Sequence, residues 1–322
     1  MNLSQLTSQN FEEIFSQIIE LKFSENEIKK ILLDLNQANL PQNAFIGAIS
    51  ALKKSMKIIS APQNAIDVCG TGGDKLKTLN VSTAVCFVVA GAKIPVAKHG
   101  NKAISSNSGS ADIFLELGIK FSENISEIEK NLREKNLCFL FAPLFYPALK
   151  NISEIRKSIG VPTIFNFLGP LLNPANTRFQ LIGTSKKDVM KKMLSTKKET
   201  AEKIYLIHGF DGMDEITLTD NSYLMRLENG KIFDEEIIDP TQFGFKKIGL
   251  EALQGKDAKY NAQKLIALLE GEKSAYRDIV ILNSAFAFKL VEKVKNIEEG
   301  IDLAAEVIDY GLAKKVLQSI KN

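Results

Sequence analysis

Cysteine and histidine are scarce. Three cysteines, Cys69, Cys86 and Cys138, are an odd number at wide spacing in a chain of 322 residues. That excludes a disulfide framework and paired Cys-x-x-Cys metal sites, and it suits a reducing compartment. Two histidines, His99 and His208, are too few for a multi-histidine zinc site. Charge of one sign is also lacking. With 41 basic and 38 acidic residues the net charge is +3, so no large nucleic-acid footprint is implied. The longest apolar run, at 84–92, falls far short of the ~20 residues a bilayer span needs. Residues 1–20 are acidic and amphipathic, without the basic start and apolar stretch of a secretory signal. The expectation is a cytoplasmic protein with no membrane or nucleic-acid partner. There is no internal repeat and no low-complexity segment. The rest is ordinary: 45% hydrophobic and 25% charged residues describe a globular protein, long enough for about two domains of ~150 residues each.

The first 62 residues read as helical. Phe11, Ile14, Phe15, Ile18 and Ile19 recur at the spacing of one buried helix face. Ser24 and Glu27 form a capping box for a second helix, and Phe23 is placed to staple onto Ile28. A third helix follows Pro41, with Phe45, Ile49, Leu52 and Met56 on one side. Such short helices need another apolar surface, from the rest of the chain or from a second subunit.

After Pro62 the pattern changes. Apolar runs at 65–68, 94–97, 138–141 and 203–207 read as strands, interleaved with helices at 81–90 and 110–117. Strands alternating with helices predict a mostly parallel sheet covered on both faces. Runs at 216–219, 223–227 and 231–233 read as an antiparallel excursion, and Asn229-Gly230 marks its hairpin. Helices resume near residue 259.

Three segments carry chemistry. Asp67-Val68-Cys69-Gly70-Thr71-Gly72-Gly73-Asp74 places glycines directly after a strand and shortly before a helix start at Asn80-Val81-Ser82-Thr83. Backbone N–H groups in such a turn and at a helix N-terminus attract anions. The turn serves equally as a plain connection. It is neither a Walker loop nor a dinucleotide fingerprint, since the GxGxxG spacing fails at Lys75. A second loop, Lys98-His99-Gly100-Asn101-Lys102 followed by Ser105-Ser106-Asn107-Ser108-Gly109-Ser110, offers cations, hydroxyls and glycines before another helix. Two such loops at the carboxyl ends of neighbouring strands occupy the usual ligand edge of an open α/β sheet. The third segment, Asp211-Gly212-Met213-Asp214-Glu215, places carboxylates on a loop that reads as solvent-exposed. Beside a phosphate cradle they would need a cation between, and magnesium takes one or two carboxylates plus phosphate oxygens.

In this order these segments resemble the anthranilate phosphoribosyltransferase family. Thr163-Ile164-Phe165-Asn166-Phe167-Leu168-Gly169-Pro170 is a further matching stretch, and the likeness continues to Arg277-Asp278-Ile279-Val280-Ile281-Leu282-Asn283. The resemblance implies an α/β fold of the nucleoside phosphorylase/phosphoribosyltransferase type. A small helical domain, 1–62 with helices from about 148–176, would join a larger α/β domain at 63–322 that binds phosphoribosyl diphosphate. It implies a homodimer formed through helical-domain surfaces, and transfer of a phosphoribosyl group to the anthranilate nitrogen with release of diphosphate. By motif, Gly70, Gly73, Asp74, Thr78, Asn80, Val81, Ser82, Thr83, Lys98, His99, Gly100, Asn101, Lys102, Ala103, Ile104, Ser105, Ser106 and Ser110 would surround phosphoribosyl diphosphate. Gly70, Asn101 and Arg156 would touch anthranilate, a guanidinium matching a planar carboxylate. Ser82, Asp214 and Glu215 would hold Mg2+. Tyr146, Lys102 and Pro162 depart from the family pattern, where histidine, arginine and arginine are frequent.

His99 admits two readings, a general base or a residue that orients its loop, and His208 reads as structural. Cys69 faces the ligand in this reading but has no partner base nearby in sequence. Lys186, Lys187, Lys191 and Lys192 read as a solvated helix face. A pyrimidine nucleoside phosphorylase and a nucleic-acid-binding relative remain as alternatives. The acidic pair Asp214-Glu215 favours a magnesium-diphosphate substrate over the former, and the small net charge disfavours the latter.

Overall fold

The computed structural model describes residues 3–102 and 108–321. Three amphipathic helices open the chain: α1 (Ser8–Ile19), α2 (Glu25–Gln37) and α3 (Gln42–Lys53). The expected faces of α1 and α2 are inward, with Phe11, Phe15, Ile18, Ile28, Leu32 and Leu35 fully buried. Ser24 caps α2 as its sequence implies: Glu27 N–H donates to its hydroxyl and the Glu27 carboxylate accepts the Ser24 N–H at 2.8 Å. Thr7 and Asn10 make the same reciprocal box for α1. Helix α3 stops at Lys53, so Met56 lies beyond it.

Five parallel strands follow: β1 (Ile66–Gly70), β2 (Val96–Gly100), β3 (Leu137–Phe141), β4 (Phe179–Gly183) and β5 (Lys203–Gly209). An antiparallel extension is made by β6 (Ser222–Glu228), β7 (Lys231–Ile232) and β8 (Glu236–Ile238). The order is β3-β2-β1-β4-β5-β6-β7, with β8 also on β6. The chain therefore winds outward from β1 to β3, then crosses back to lay β4 on the other side of β1. That reversal opens a crevice at the carboxyl ends of β1 and β4, where ligands of such sheets bind.

Several sequence expectations are corrected here. Strands β1 and β2 extend further than 65–68 and 94–97, because their ladders continue to Gly70–Gly183 and Gly100–Phe141. Lys98, His99 and Gly100 are thus strand residues, not loop residues. The central strand β4 has no counterpart among the expected strands, and the run at 203–207 is the fifth strand rather than the fourth. Residues 216–219 form no strand. The side-chain amide of Asn283 takes both backbone groups of Ile216, the N–H at 3.0 Å and the carbonyl at 2.9 Å.

Helices cover both faces. On one side lie α4 (Val81–Gly91), α5 (Ser110–Glu116), α11 (Ala258–Leu269), α12 (Ala275–Leu290), α13 (Ile297–Asp309) and α14 (Leu312–Ile320). From Ala84 onward helix α4 is apolar and buried on every side, as a central helix must be. The other face carries α1–α3, α6 (Ile125–Lys135), α7 (Ala142–Phe145), α8 (Ser153–Ile159), α9 (Ile164–Leu168) and α10 (Met190–Ser195). Here α8 packs on α2, and α9 packs on α2 and α3. Alternation along the strands splits the two cores: Ile66 and Val68 point to one, Cys69 to the other. Among the described residues no helix is long and apolar enough to cross a membrane.

Candidate active site

The crevice at the strand reversal is a cavity of about 240 Å³. Gly72 and Gly73, at φ of +63° and +82°, let the chain leave β1 in a turn that a side chain would strain. The turn is stitched to the loop after β4. Thr71 N–H donates to the Gly183 carbonyl at 2.9 Å, and the Ser185 hydroxyl donates to the Gly72 carbonyl at 3.0 Å. Gly70 and Gly183 are glycine for another reason. A Cβ on Gly70 would lie 2.3 Å from Asp214 Oδ2, and one on Gly183 only 1.5 Å from the Asp214 carbonyl oxygen. The acidic loop passes directly over the ends of these two strands.

That loop is held from beneath. The Asp211 carboxylate accepts the Met213 N–H and the Thr217 hydroxyl, and Asn283 on α12 fixes Ile216. Asp214 Oδ2 then accepts the Gly72 N–H at 2.7 Å, and Glu215 Oε1 accepts the Ser82 N–H at 2.9 Å. The carboxylates are half-buried, not the exposed pair that the loop sequence suggests. Burial raises both, and Asp214 beside Glu215 raises it further. Asp74 sits in the same wall and is pushed up to about 7 by burial and by the nearby Asp214. Among the described residues no basic side chain forms an ion pair with any of the three. The Lys98 ammonium, also buried, donates to the Val68 carbonyl at 2.7 Å and to the Ser82 hydroxyl at 3.4 Å.

This wall fits a magnesium ion. Its donors are all oxygen: the carboxylates of Asp74, Asp214 and Glu215 and the hydroxyl of Ser82. Among the described residues no three His, Cys, Asp or Glu side chains close into a metal cage. The all-oxygen donor set suits a hard cation which keeps waters and takes substrate phosphate oxygens in its remaining positions. Burial raises these carboxyls, and the nearby Lys98 ammonium offsets it only in part for Asp214 and Glu215.

Every described residue expected near phosphoribosyl diphosphate lines this crevice: Gly70, Gly73, Asp74, Thr78, Asn80 to Thr83, Lys98 to Lys102, and Ser110. Ala103, Ile104, Ser105 and Ser106 lie outside the described residues. Val81 and Thr83 line the crevice although they are almost fully buried. The Lys98 ammonium is engaged within the protein.

A second chamber of about 160 Å³ adjoins the first. Cys69, Gly70, Thr71, His99, Gly100, Asn101 and Asn166 line both. The second adds an apolar rim, including Leu52, Leu168 and Pro170, and the rings of Tyr146 and Phe165. Arg156, at the last turn of α8, lies 5.1 Å from the Phe165 ring centroid. No carboxylate of the described residues pairs with it, and burial brings it down to about 10. Tyr146 is buried, and its hydroxyl reaches the Leu172 carbonyl and the Met56 sulfur.

His99 stands between the chambers. Its Nδ1–H donates to the Gly169 carbonyl at 3.1 Å, which leaves Nε2 as a buried lone pair without a partner among the described residues. Burial lowers its pKa, so the ring is neutral. His208 is structural, with Nδ1 on the Thr184 carbonyl and its ring stacked on Tyr223. Cys69 is not an exposed thiol: it is buried, and burial raises it well above the usual range, as it raises Cys86 to about 12. Lys187 is more than a solvated charge, lying 3.4 Å from the Tyr223 ring centroid and paired with Glu235. Sequence reasoning missed Asn261, which lines the crevice from α11, and Tyr276, whose hydroxyl holds the Asn80 carbonyl at 2.9 Å. Their only signal is a polar residue within an apolar helical pattern.

Residues 62–314 match the glycosyl transferase family, a/b domain. The chain is 39% identical to the anthranilate phosphoribosyltransferase of Thermoanaerobacter sp. (strain X514), over 98% of this chain and 95% of that one. It is 37% identical to the enzyme of that name from Rhodopseudomonas palustris (strain BisB5), over 98% and 93%. Solved structures agree. The anthranilate phosphoribosyltransferase of Thermus thermophilus superposes with a TM-score of 0.89 at 29% identity, covering 98% of this chain and 95% of that one. The Saccharomyces cerevisiae enzyme in complex with PRPP and Mg gives 0.90 at 26% identity, covering 98% and 93%.

Proposed function

The chain belongs to the anthranilate phosphoribosyltransferases, within the glycosyl transferase family, and from that membership we propose how its two chambers divide the reaction. The enzyme transfers the phosphoribosyl group of phosphoribosyl diphosphate to the anthranilate nitrogen. The products are N-(5-phosphoribosyl)anthranilate and diphosphate, in tryptophan biosynthesis, and Mg2+ is the metal of the family.

Phosphoribosyl diphosphate occupies the larger crevice, between the turn at 70–74, the start of α4 and residues 98–102 and 108–110. Ser82, Asp214 and Glu215 would hold magnesium, with Asp74 beside them, and the bound metal would supply positive charge for the diphosphate. Anthranilate enters the second chamber. Its ring lies among Tyr146, Phe165 and Pro170, its carboxylate meets Arg156, and its amine points to the shared wall at Gly70 and Asn101. The observation that carries this reading is the shared wall. Gly70, His99, Asn101 and Asn166 line both chambers, so ligands held in the two would meet across that wall.

Aromatic amines are weak nucleophiles and magnesium diphosphate is a good leaving group. The transition state is therefore dissociative and oxocarbenium-like, stabilised electrostatically, with no covalent enzyme intermediate. The buried state of the three thiols supports this. The domains follow the same reading: 1–62, with helices from 148–176 packed on it, and 63–322. A cytoplasmic homodimer completes it, supported by exposed Leu33 and Ile46 on α2 and α3. The test is fluorescence-monitored consumption of anthranilate, expected only when phosphoribosyl diphosphate and magnesium are both present. Trapping a ribosylated side chain during turnover would contradict the direct transfer.

A further inference from the structure

Two loops reach the crevice from different strands, and a third element ties them together. Asn261, 2% exposed on α11, donates from Nδ2 to Asn80 Oδ1 at 3.0 Å and to the Ser108 hydroxyl at 2.9 Å. The Ser108 hydroxyl donates to the same Asn80 oxygen at 3.1 Å, and Asn80 Nδ2 donates to the Ser108 carbonyl at 3.2 Å. A closed triangle thus joins the start of α4, the end of the second loop and α11. The orientation of the Asn261 amide is fixed independently, since its Oδ1 accepts the Lys256 N–H at 2.8 Å. Both amide hydrogens of Asn261 are then spent on the two loops. Although the residue lines the crevice, its amide has no donor left for a ligand.

The chain just before α11 reinforces the same point. Leu79 N–H donates to the Leu253 carbonyl at 2.9 Å, and Gly255 N–H to the Lys77 carbonyl at 2.8 Å. Thr78 to Asn80 are therefore pinned from outside by the segment that ends in Asn261.

We propose that Asn261 is a positioning residue for phosphoribosyl diphosphate. It fixes the gap between the loop that ends at Asn80 and the loop that ends at Ser108, so that both address one ligand. The proposal rests on the assignment of this crevice to phosphoribosyl diphosphate. None of Asn80, Ser108 and Asn261 lines the second chamber, so anthranilate should not sense the triangle.

The experiment compares wild type, Asn261→Asp, Ser108→Ala and the double variant. Calorimetry measures the binding of phosphoribosyl diphosphate with magnesium, and steady-state kinetics measures both KM values. Asn261→Asp keeps the shape and replaces both donors by an acceptor. Its dissociation constant and KM for phosphoribosyl diphosphate should rise about tenfold or more, with KM for anthranilate nearly unchanged. Adding Ser108→Ala should cost less than it does alone, because the triangle is already open. Wild-type binding by a folded Asn261→Asp, equal loss for both substrates, or strict additivity would overturn the proposal. Should Asn261→Asp fail to fold by circular dichroism, Ser108→Ala decides: weaker phosphoribosyl diphosphate binding supports the proposal and unchanged binding overturns it. A wild type that binds no phosphoribosyl diphosphate would instead sink the assignment of the crevice.

Discussion

Asp74, Asp214 and Glu215 are legible in the sequence as residue types, but their environment is not. Adjacent carboxylates in a polar loop read as exposed. The structure covers them because Gly70 and Gly183 let the loop sit on the strand ends, a contact between residues more than 30 and more than 140 positions apart. Their behaviour with pH follows from that cover. A carboxyl raised in the folded state favours folding while protonated. That contribution is whole below about pH 4 and is lost as pH rises through the folded value, which for Asp74 is about 7. Asp74→Asn should therefore gain thermal stability over wild type as pH is raised from about 5 to about 8, measured on protein free of substrate and metal. A gain that shrinks with rising pH would contradict the assignment. Asp214→Asn with Glu215→Gln retains acceptors for the Gly72 and Ser82 N–H groups. It should melt no lower than wild type at pH 8 yet lose most activity and demand more magnesium. Unchanged magnesium dependence would reduce the pair to a structural feature.

Among the elements, the one helix whose cap the sequence spells out is read correctly, α6 behind its Asn124 cap is missed, and the sheet is read incompletely. Ser24 and Glu27 announce α2, because a capping box is local chemistry. Ser24→Ala should lower stability by about 1 kcal/mol in urea denaturation, without changing either KM. Strand β4 is five residues with a glutamine in second place, which breaks the apolar run. Its burial depends on a distant partner: Gln180 Nε2 donates to the Pro170 carbonyl at 2.8 Å. Residues 216–219 err the other way. Ile216 and Leu218 have the pattern of a strand, but the backbone of Ile216 bonds to a side chain of α12 instead of a neighbouring strand. Periodicity reports which residues are inside, not what their backbones bond to.

At the scale of the molecule, one short helical layer lies over one face of a sheet, and the second chamber is enclosed between them. Leu52 and Arg156 come from the helical side, Gly70 and His99 from strand ends. The exposed Ile46 on α3 belongs to the surface proposed for the dimer, so Ile46→Asp should shift the mass in light scattering from two chains toward one. A wild type that is monomeric at micromolar concentration would remove that part of the proposal. The division of labour between chambers is the central claim, and one kinetic measurement tests it most directly. Arg156→Ala, assayed by anthranilate fluorescence while each substrate is varied in turn, should raise KM for anthranilate by about one to two decades, the cost of a lost charge-assisted hydrogen bond. KM for phosphoribosyl diphosphate should remain near wild type. Wild-type KM for anthranilate, or an equal rise in both constants, would contradict the account.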